Sequence, residues 1–394
     1  MKELRCIVIG GGYAGINAIK AIRKNFKSEA SKRTLRLILI DKNPYHFRKV
    51  LLFKPAVGDE DITVPFTRLF PAEVEFVQAT VTKIKSEEKR LLCRDAEANE
   101  SSLKYDILVL AVGSVVRQPH SDQGGLALVS LDAAQKIREA WRANLQKAIQ
   151  EKSTKERQRL MTIAVAGAGI SGIETSAEMA YFIREDAVKL GLDPSAVRIK
   201  LCNANKRLFP EGSEKAGFKL ERSLGACGVT VLHESKVVQE KEGTLTLSNG
   251  ETMSVGLCVW TFGLLPNPML QSIGVPITPE EYVIVDASYR VSGADGIYSI
   301  GDCARIVDPA SGRVDGKTCK EATVQAARLG KILLADILGC PAPSHKRVID
   351  FFCIALGPGQ GMVWTQPYGV DIIFTGKLGW RMRKYTWDSA SLLK

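Results

Sequence analysis

Two six-residue stretches share the spacing Gly-x-Gly-x-x-Gly. The first, Gly10-Gly11-Gly12-Tyr13-Ala14-Gly15, follows the apolar run Cys6-Ile7-Val8-Ile9 and precedes Ile16, Ile19 and Ile22 at helical spacing. The second, Gly167-Ala168-Gly169-Ile170-Ser171-Gly172, follows Thr162-Ile163-Ala164-Val165-Ala166 and opens a helix with Ile173-Glu174. Strand, glycine turn and helix in that order make such a stretch a dinucleotide fingerprint. Gly10 and Gly167 permit the tight turn, Gly12 and Gly169 let backbone approach a pyrophosphate, and Gly15 and Gly172 let the helix sit close on its strand. The helix N-terminus offers unpaired N–H groups and partial positive charge to the phosphates.

An acid should follow each fingerprint to bond a ribose hydroxyl. Asp41, with Lys42 beside it, ends the buried run Leu35-Arg36-Leu37-Ile38-Leu39-Ile40; Asn203 holds the corresponding place after Val197–Cys202. Three more apolar runs stop at small residues, where backbone can meet a ligand: Leu108-Val109-Leu110 at Ala111 and Gly113, Leu257–Trp260 at Gly263, and Ile297–Ile300 at Gly301-Asp302. Two fingerprints and a late Gly-Asp in one chain point to two dinucleotides, and a protein holding two of them moves electrons between them.

These residues need elements to position them. Val77, Ala79, Val81 and Ile84 alternate as strand residues, with Val81 also expected to meet the cofactor, and Leu131 to Arg159 reads as a helical connector with Trp141 and Leu145 on its inner face. A helix is expected from about Glu321 to Leu338, and a glycine-spaced, basic and aromatic tail follows His345. The expected fold is α/β: two Rossmann-like, three-layer dinucleotide-binding domains, the second inserted in the first, plus a small C-terminal domain. The bounds are 1–118 and 285–344 for the first, 119–284 for the second with its connector, and 345–394 for the C-terminal unit.

Length and composition agree. At 394 residues, 45% hydrophobic and 25% charged, the chain carries the material of several packed domains. No apolar run is long enough to span a bilayer, and the first strand begins too near Met1 for a targeting peptide to precede it. Nine cysteines (6, 93, 202, 227, 258, 303, 319, 340 and 353) and four histidines lie scattered without metal-ligand spacing, so no metal is expected and a reducing, cytoplasmic setting is. A formal charge of +11 favours an anionic partner; with no nucleic-acid motif, membrane lipid and cofactor phosphates rank ahead of nucleic acid.

In these motifs and their order, nearly the whole chain resembles the pyridine nucleotide–disulfide oxidoreductase superfamily. The resemblance implies FAD at the first fingerprint, NAD(P)H at the second, and a Gly301-Asp302 carboxylate on the FAD ribityl chain; Ala111-Val112-Gly113-Ser114 matches the family's Ala-Thr-Gly-Ser. The disulfide reductases' C-x-x-x-x-C is missing, since residues 41–71 hold no cysteine, so a dithiol relay is not expected. The nearer likeness is to type II NADH dehydrogenases and ferroptosis-suppressor-like quinone oxidoreductases. It rests on Asp41-Lys42-Asn43-Pro44-Tyr45-His46-Phe47, Gly172-Ile173-Glu174, Val259-Trp260-Thr261-Phe262-Gly263 and Thr323-Val324-Gln325-Ala326-Ala327.

That likeness implies electron transfer from NAD(P)H through FAD to a quinone. Glu174, read as lying in its helix's first turn, either meets the nicotinamide or offsets the helix dipole. Lys320 either supports the flavin pyrimidine ring or is a surface lysine, and Gln325 is either a quinone-side contact or a surface amide. The family's second quinone-site glutamine falls at Leu329. Asn203 stands where the family has an acid, with Lys206 and Arg207 nearby, so it either bonds the ribose hydroxyl of NADH or admits the 2′-phosphate of NADPH.

Two readings of the tail stand: an interfacial segment on the cytosolic face of an anionic membrane, or a dimer or packing element. Gly376 and Gly379 argue against one continuous helix there. The rival functions are a diaphorase with another acceptor and a slowly turning-over NAD(P)H sensor.

Overall fold

The computed structural model describes residues 2–27, 33–70 and 74–394. Two five-stranded parallel sheets organise it, and each has its fingerprint strand at the centre. In the first the order is Ile297–Ser299, Ile107–Leu110, Lys2–Ile9, Arg33–Asp41, Glu75–Gln78. In the second it is Leu126–Ala127, Leu257–Trp260, Thr162–Ala166, Arg198–Cys202, Val229–Leu232. Ile107–Leu110 and Thr162–Ala166 are buried throughout, as strands covered on both faces must be.

Each unit also carries a three-stranded antiparallel sheet, Thr80–Lys85, Arg90–Arg94 and Glu100–Lys104 in one and Val237–Lys241, Thr244–Leu247 and Thr252–Ser254 in the other. The alternating run around Val81 is therefore two strands in two sheets, turning over at Ala79. The chain passes twice between the units, and the passages pair antiparallel, Ser114–Val116 against Leu264–Pro266.

The return to the first unit comes earlier than 285. Leu270, Ile273 and Val283 are buried in one apolar cluster with Ile7, Ile9 and Leu108, and Ile84 N–H donates to Ile273 O at 2.7 Å. The connector is two helices, Leu131–Gln150 and Thr154–Leu160, with Trp141 and Leu145 buried.

The C-terminal unit is an antiparallel sheet, Phe351–Ala355, Gly361–Thr365 and Ile372–Thr375, followed by a helix from Gly376 to Ala390. That helix runs straight through Gly379, which corrects the expectation of a break. A Cβ at Gly379 would lie 2.3 Å from Gly361 O, so the missing side chain serves a close crossing of helix on sheet, and the packing outweighs the weak propensity of glycine. Trp387, one of the tail's aromatics, is core: it is 4% exposed and packs against Phe53.

Candidate functional site

The two fingerprints have the same local geometry. Gly10 and Gly167 lie at φ +101° and +112°, left-handed backbone that only glycine adopts readily. A Cβ on Gly15 or Gly172 would come within 1.8 Å of the carbonyl oxygen of Gly10 or Gly167 respectively, so both positions are closed by backbone. Among the described residues, a Cβ on Gly12 or Gly169 would meet nothing within 4 Å beyond its own neighbours in the chain. Gly113 and Gly263 are each likewise clear of the other described residues.

Gly12 and Gly169 are the N-caps of Tyr13–Phe26 and Ile170–Lys189, and neither helix has a side-chain cap or an acid in its first turn. Helices elsewhere in the chain are capped by Ser130, Ser153 and Ser213. Uncapped N–H groups above an open cradle are what a pyrophosphate requires, so the residues present fit two dinucleotides. Ala14 and Tyr13 lie at the foot of the first helix, Ala14 buried, and Ser171 is exposed at the second.

Asp41 stands at the end of its strand as expected. Oδ2 accepts from Gly11 N–H at 2.7 Å and Oδ1 from Asn43 N–H at 2.8 Å. Burial pushes its carboxyl up, and those two N–H groups offset part of the shift. Each oxygen keeps a lone pair for a ribose hydroxyl. Lys42 is exposed beside it. Val81 is 3% exposed, with its side chain in the core beside Ala79 and Ile84. Ala111 is buried at the end of the neighbouring strand.

At the Gly-Asp turn, Asp302 Oδ2 accepts from Ser114 Oγ at 2.7 Å, and Lys49 Nζ donates to Ser114 O at 2.9 Å. Burial pulls the Lys49 ammonium below its ordinary value, while Asp302 offsets part of that. No local pattern marks Lys49; only the fold brings it to Ser114 and Asp302.

Four expected contacts turn out to serve other groups. Glu174 lies beyond the first turn, because the helix begins at Ile170, so it does not offset the dipole. Its buried carboxylate takes Arg383 Nε at 2.9 Å, Arg383 Nη2 at 3.0 Å and Ala355 N–H at 2.9 Å. Lys320 Nζ points into the C-terminal sheet, donating to Phe351 O at 3.0 Å. Gln325, 2% exposed, is neither a surface amide nor a free acceptor-side contact: Oε1 accepts from Gly301 N–H and Nε2 donates to Asp315 Oδ2, both at 2.8 Å.

Asn203 is likewise consumed. Its Nδ2 faces Asn205 O, Arg207 O and His233 Nδ1, each at 3.0 Å, and its Oδ1 takes Asn205 N–H. Arg207 donates to the carbonyls of Leu208, Phe209, Pro210 and Gly212, which leaves Lys206 as the exposed cation of that turn.

The tail helix joins the two fingerprints, which the sequence did not announce. Arg383 reaches Glu174 on the second fingerprint helix. At its far end Ala390 O accepts from Asn17 on the first, Asp388 pairs with Arg48 at 2.8 Å, and Ser391 Oγ stands 3.3 Å from His46 Nε2. At the start of Cys319–Leu338, burial raises the Cys319 thiol, and the charges that act on it are Arg383, Asp302 and Glu174.

His46, fully buried, ties this clasp to the first loop through Nδ1 on Gly11 O at 2.9 Å. Burial pulls the His46 imidazole from 6.5 down to about 4. The folded chain therefore keeps it neutral where the unfolded chain takes up a proton. The stability it contributes is complete above pH 6.5 and is lost as pH falls through to about 4, about 3 kcal/mol in all. Urea midpoints should fall across that window, and His46→Gln should flatten the fall.

Residues 4–328 match the family model of the pyridine nucleotide-disulphide oxidoreductases. The chain belongs to that family, whose paired ligands are FAD and NAD(H). It is 26% identical over 379 residues to a type II NADH:quinone oxidoreductase of Staphylococcus aureus, covering 92% of this chain and 90% of that one. Among solved structures it superposes on NDH2 from Plasmodium falciparum in complex with NADH, with TM-score 0.79, 18% identity, and 99% and 97% of the two chains covered. The sulfide:quinone oxidoreductase of Aquifex aeolicus gives TM-score 0.76 at 17% identity, over 98% and 90%. At those identities the structures speak for the fold alone. Among the described residues no helix is long and apolar enough to cross a membrane, and no cluster of metal-ligating side chains occurs.

Proposed function

We propose that this chain is an FAD-dependent NADH:quinone oxidoreductase, with FAD at the first fingerprint and the nicotinamide nucleotide at the second. The observation that carries the proposal is the repeated geometry: two uncapped helices, each above an open middle glycine, in units held together by one clasp. The family match and the type II relatives support the same reading.

FAD, when bound, supplies the redox chemistry, taking a hydride and releasing electrons onward. The protein's part is to bind, orient and exclude water. The first-turn N–H groups take the pyrophosphates. Asp41 meets the ribose, and Asp302, set by Ser114 and Lys49, meets the ribityl hydroxyls. Glu174 and Arg383, buried and paired, fix one unit against the other, and no thiol pair follows Asp41 to divert electrons.

NADPH is proposed as a second donor. No carboxylate stands at Asn203 to repel a 2′-phosphate, and Lys206 is free to meet one. Peripheral membrane contact is also proposed. Ile372, Phe374, Leu378 and Tyr385 are exposed on the tail beside Lys377, Arg381 and Lys384, and that mixture suits an anionic leaflet better than water. The face is equally open to a second copy of the chain, and vesicle binding separates the two.

Anaerobic turnover with a short-chain quinone tests the function. NADH and NADPH should both drive quinone reduction, and anionic vesicles should sediment the protein but not its Phe374→Glu variant. A protein oxidising NADH with ferricyanide and never with quinone is a diaphorase. One that binds NADH without turnover is a sensor.

A further inference from the structure

A buried line of polar groups runs from the start of the C-terminal unit to the Gly-Asp turn. Arg328 Nη1 donates to Tyr289 OH at 2.9 Å, and Tyr289 OH stands 2.9 Å from His345 Nδ1. His345 Nε2 faces Asp315 Oδ1 at 3.2 Å. Asp315 Oδ2 accepts from Gln325 Nε2, and Gln325 Oε1 accepts from Gly301 N–H, both at 2.8 Å. Tyr289, Gln325 and His345 are 0%, 2% and 3% exposed, and the Asp315 side chain 4%.

The donors and acceptors run in one consistent order. Tyr289 OH accepts from Arg328, so its single proton goes to His345 Nδ1, which Arg328 Nη1 also reaches directly at 3.1 Å. The imidazole proton then lies on Nε2, facing the carboxylate. His345 is the member that accepts on one side and presents a proton on the other. Among the described residues neither Asp315 Oδ1 nor His345 Nε2 has a hydrogen-bonding partner, so their 3.2 Å approach is a close polar contact short of an aligned hydrogen bond. The His345 backbone is held too, with N–H on Ala287 O. Other charges near this line are Asp308, from the loop before the helix, and Arg347, from the His345 segment.

We propose that His345 is a positioning residue for the first site, acting through Asp315 and Gln325 to hold the Gly301 amide and so the Asp302 turn that takes the FAD ribityl chain. The C-terminal unit thereby helps set how tightly FAD is held. This rests on FAD occupying the first fingerprint. Without the imidazole, the buried Oδ1 of Asp315 loses its close polar neighbour as well. The carboxylate then turns from Gln325 to find a donor, and the Gly301 amide loses its acceptor.

The experiment compares holoproteins. FAD release is followed by the rise of flavin fluorescence on dilution, and the flavin midpoint potential is measured beside it. His345→Ala should release FAD about tenfold faster, the effect of leaving one buried group unsatisfied, and should shift the potential. Tyr289→Phe, which keeps the ring and loses the hydroxyl, should move both in the same direction but by less, because Arg328 Nη1 still reaches His345 Nδ1. His345→Gln, whose amide both donates and accepts, should restore release to within about threefold of the parent. A folded His345→Ala protein with parental release and potential overturns the proposal. So does a His345→Gln protein as leaky as His345→Ala. A parent chain that binds no FAD would instead defeat the assignment of the first site.

Discussion

Gly169→Val should give a yellow protein that NADH cannot bleach, and Gly12→Val a folded protein with no colour. Among the described residues, apart from its immediate neighbours along the chain, nothing lies within 4 Å of a Cβ at either position, so the isopropyl group costs the fold little. It occupies the cradle beneath the uncapped N–H groups and keeps the pyrophosphate from them. Losing two charge-assisted hydrogen bonds, each about 1.5–3 kcal/mol, weakens binding by about two to four orders of magnitude. The readouts are retained flavin absorbance after desalting for Gly12→Val and an NADH titration for Gly169→Val. Gly15→Ala and Gly172→Ala are the contrast, since each places a methyl within 1.8 Å of backbone oxygen and should unfold its loop. If the two valine variants lose the same ligand, the assignment of one dinucleotide to each fingerprint fails.

Arg383→Ala should be the most destabilising exchange in the tail. The pair with Glu174 is buried on both sides, and removing one partner strands the other's charge, a loss of about 3–5 kcal/mol. The guanidinium also lies 4.9 Å from the Trp387 ring, so tryptophan fluorescence reports the change directly. Because a chain of several units need not unfold in one step, the tail transition itself is the quantity to follow in urea. Glu174→Gln in the Arg383→Ala background should recover a good part of the loss, because a neutral amide is far cheaper to bury than an unpaired carboxylate. Equal loss in single and double variants would mean that Arg383 contributes packing rather than charge pairing.

The expectations that the structure met share a physical basis. Gly10, Gly12, Gly15 and their counterparts answer constraints within a few residues, a tight turn and a close approach, so their spacing states the geometry outright. The buried parallel strands are legible for the same reason, as unbroken β-branched runs between glycines. The side chains whose partners lie far along the chain were misplaced. Nothing near Glu174 announces Arg383, and nothing near Gln325 announces that its acceptor oxygen belongs to Gly301. Asn203 draws attention by its place at the end of the strand that follows the second fingerprint, while its amide is spent on the turn it begins. The tail's cations and aromatics left two readings open, an interfacial surface and a packing element; the fold divides them, burying Arg383 and Trp387 in the clasp and leaving Phe374 and Tyr385 outside.

The central claim is that two sites pass electrons from a nicotinamide to a quinone through bound FAD. Sequential-mixing stopped-flow under anaerobic conditions tests it most directly. NADH should bleach the visible flavin band in the first mix, and a short-chain quinone should restore it in the second. A band that NADH leaves unchanged, or one that stays bleached when quinone arrives, would contradict the account.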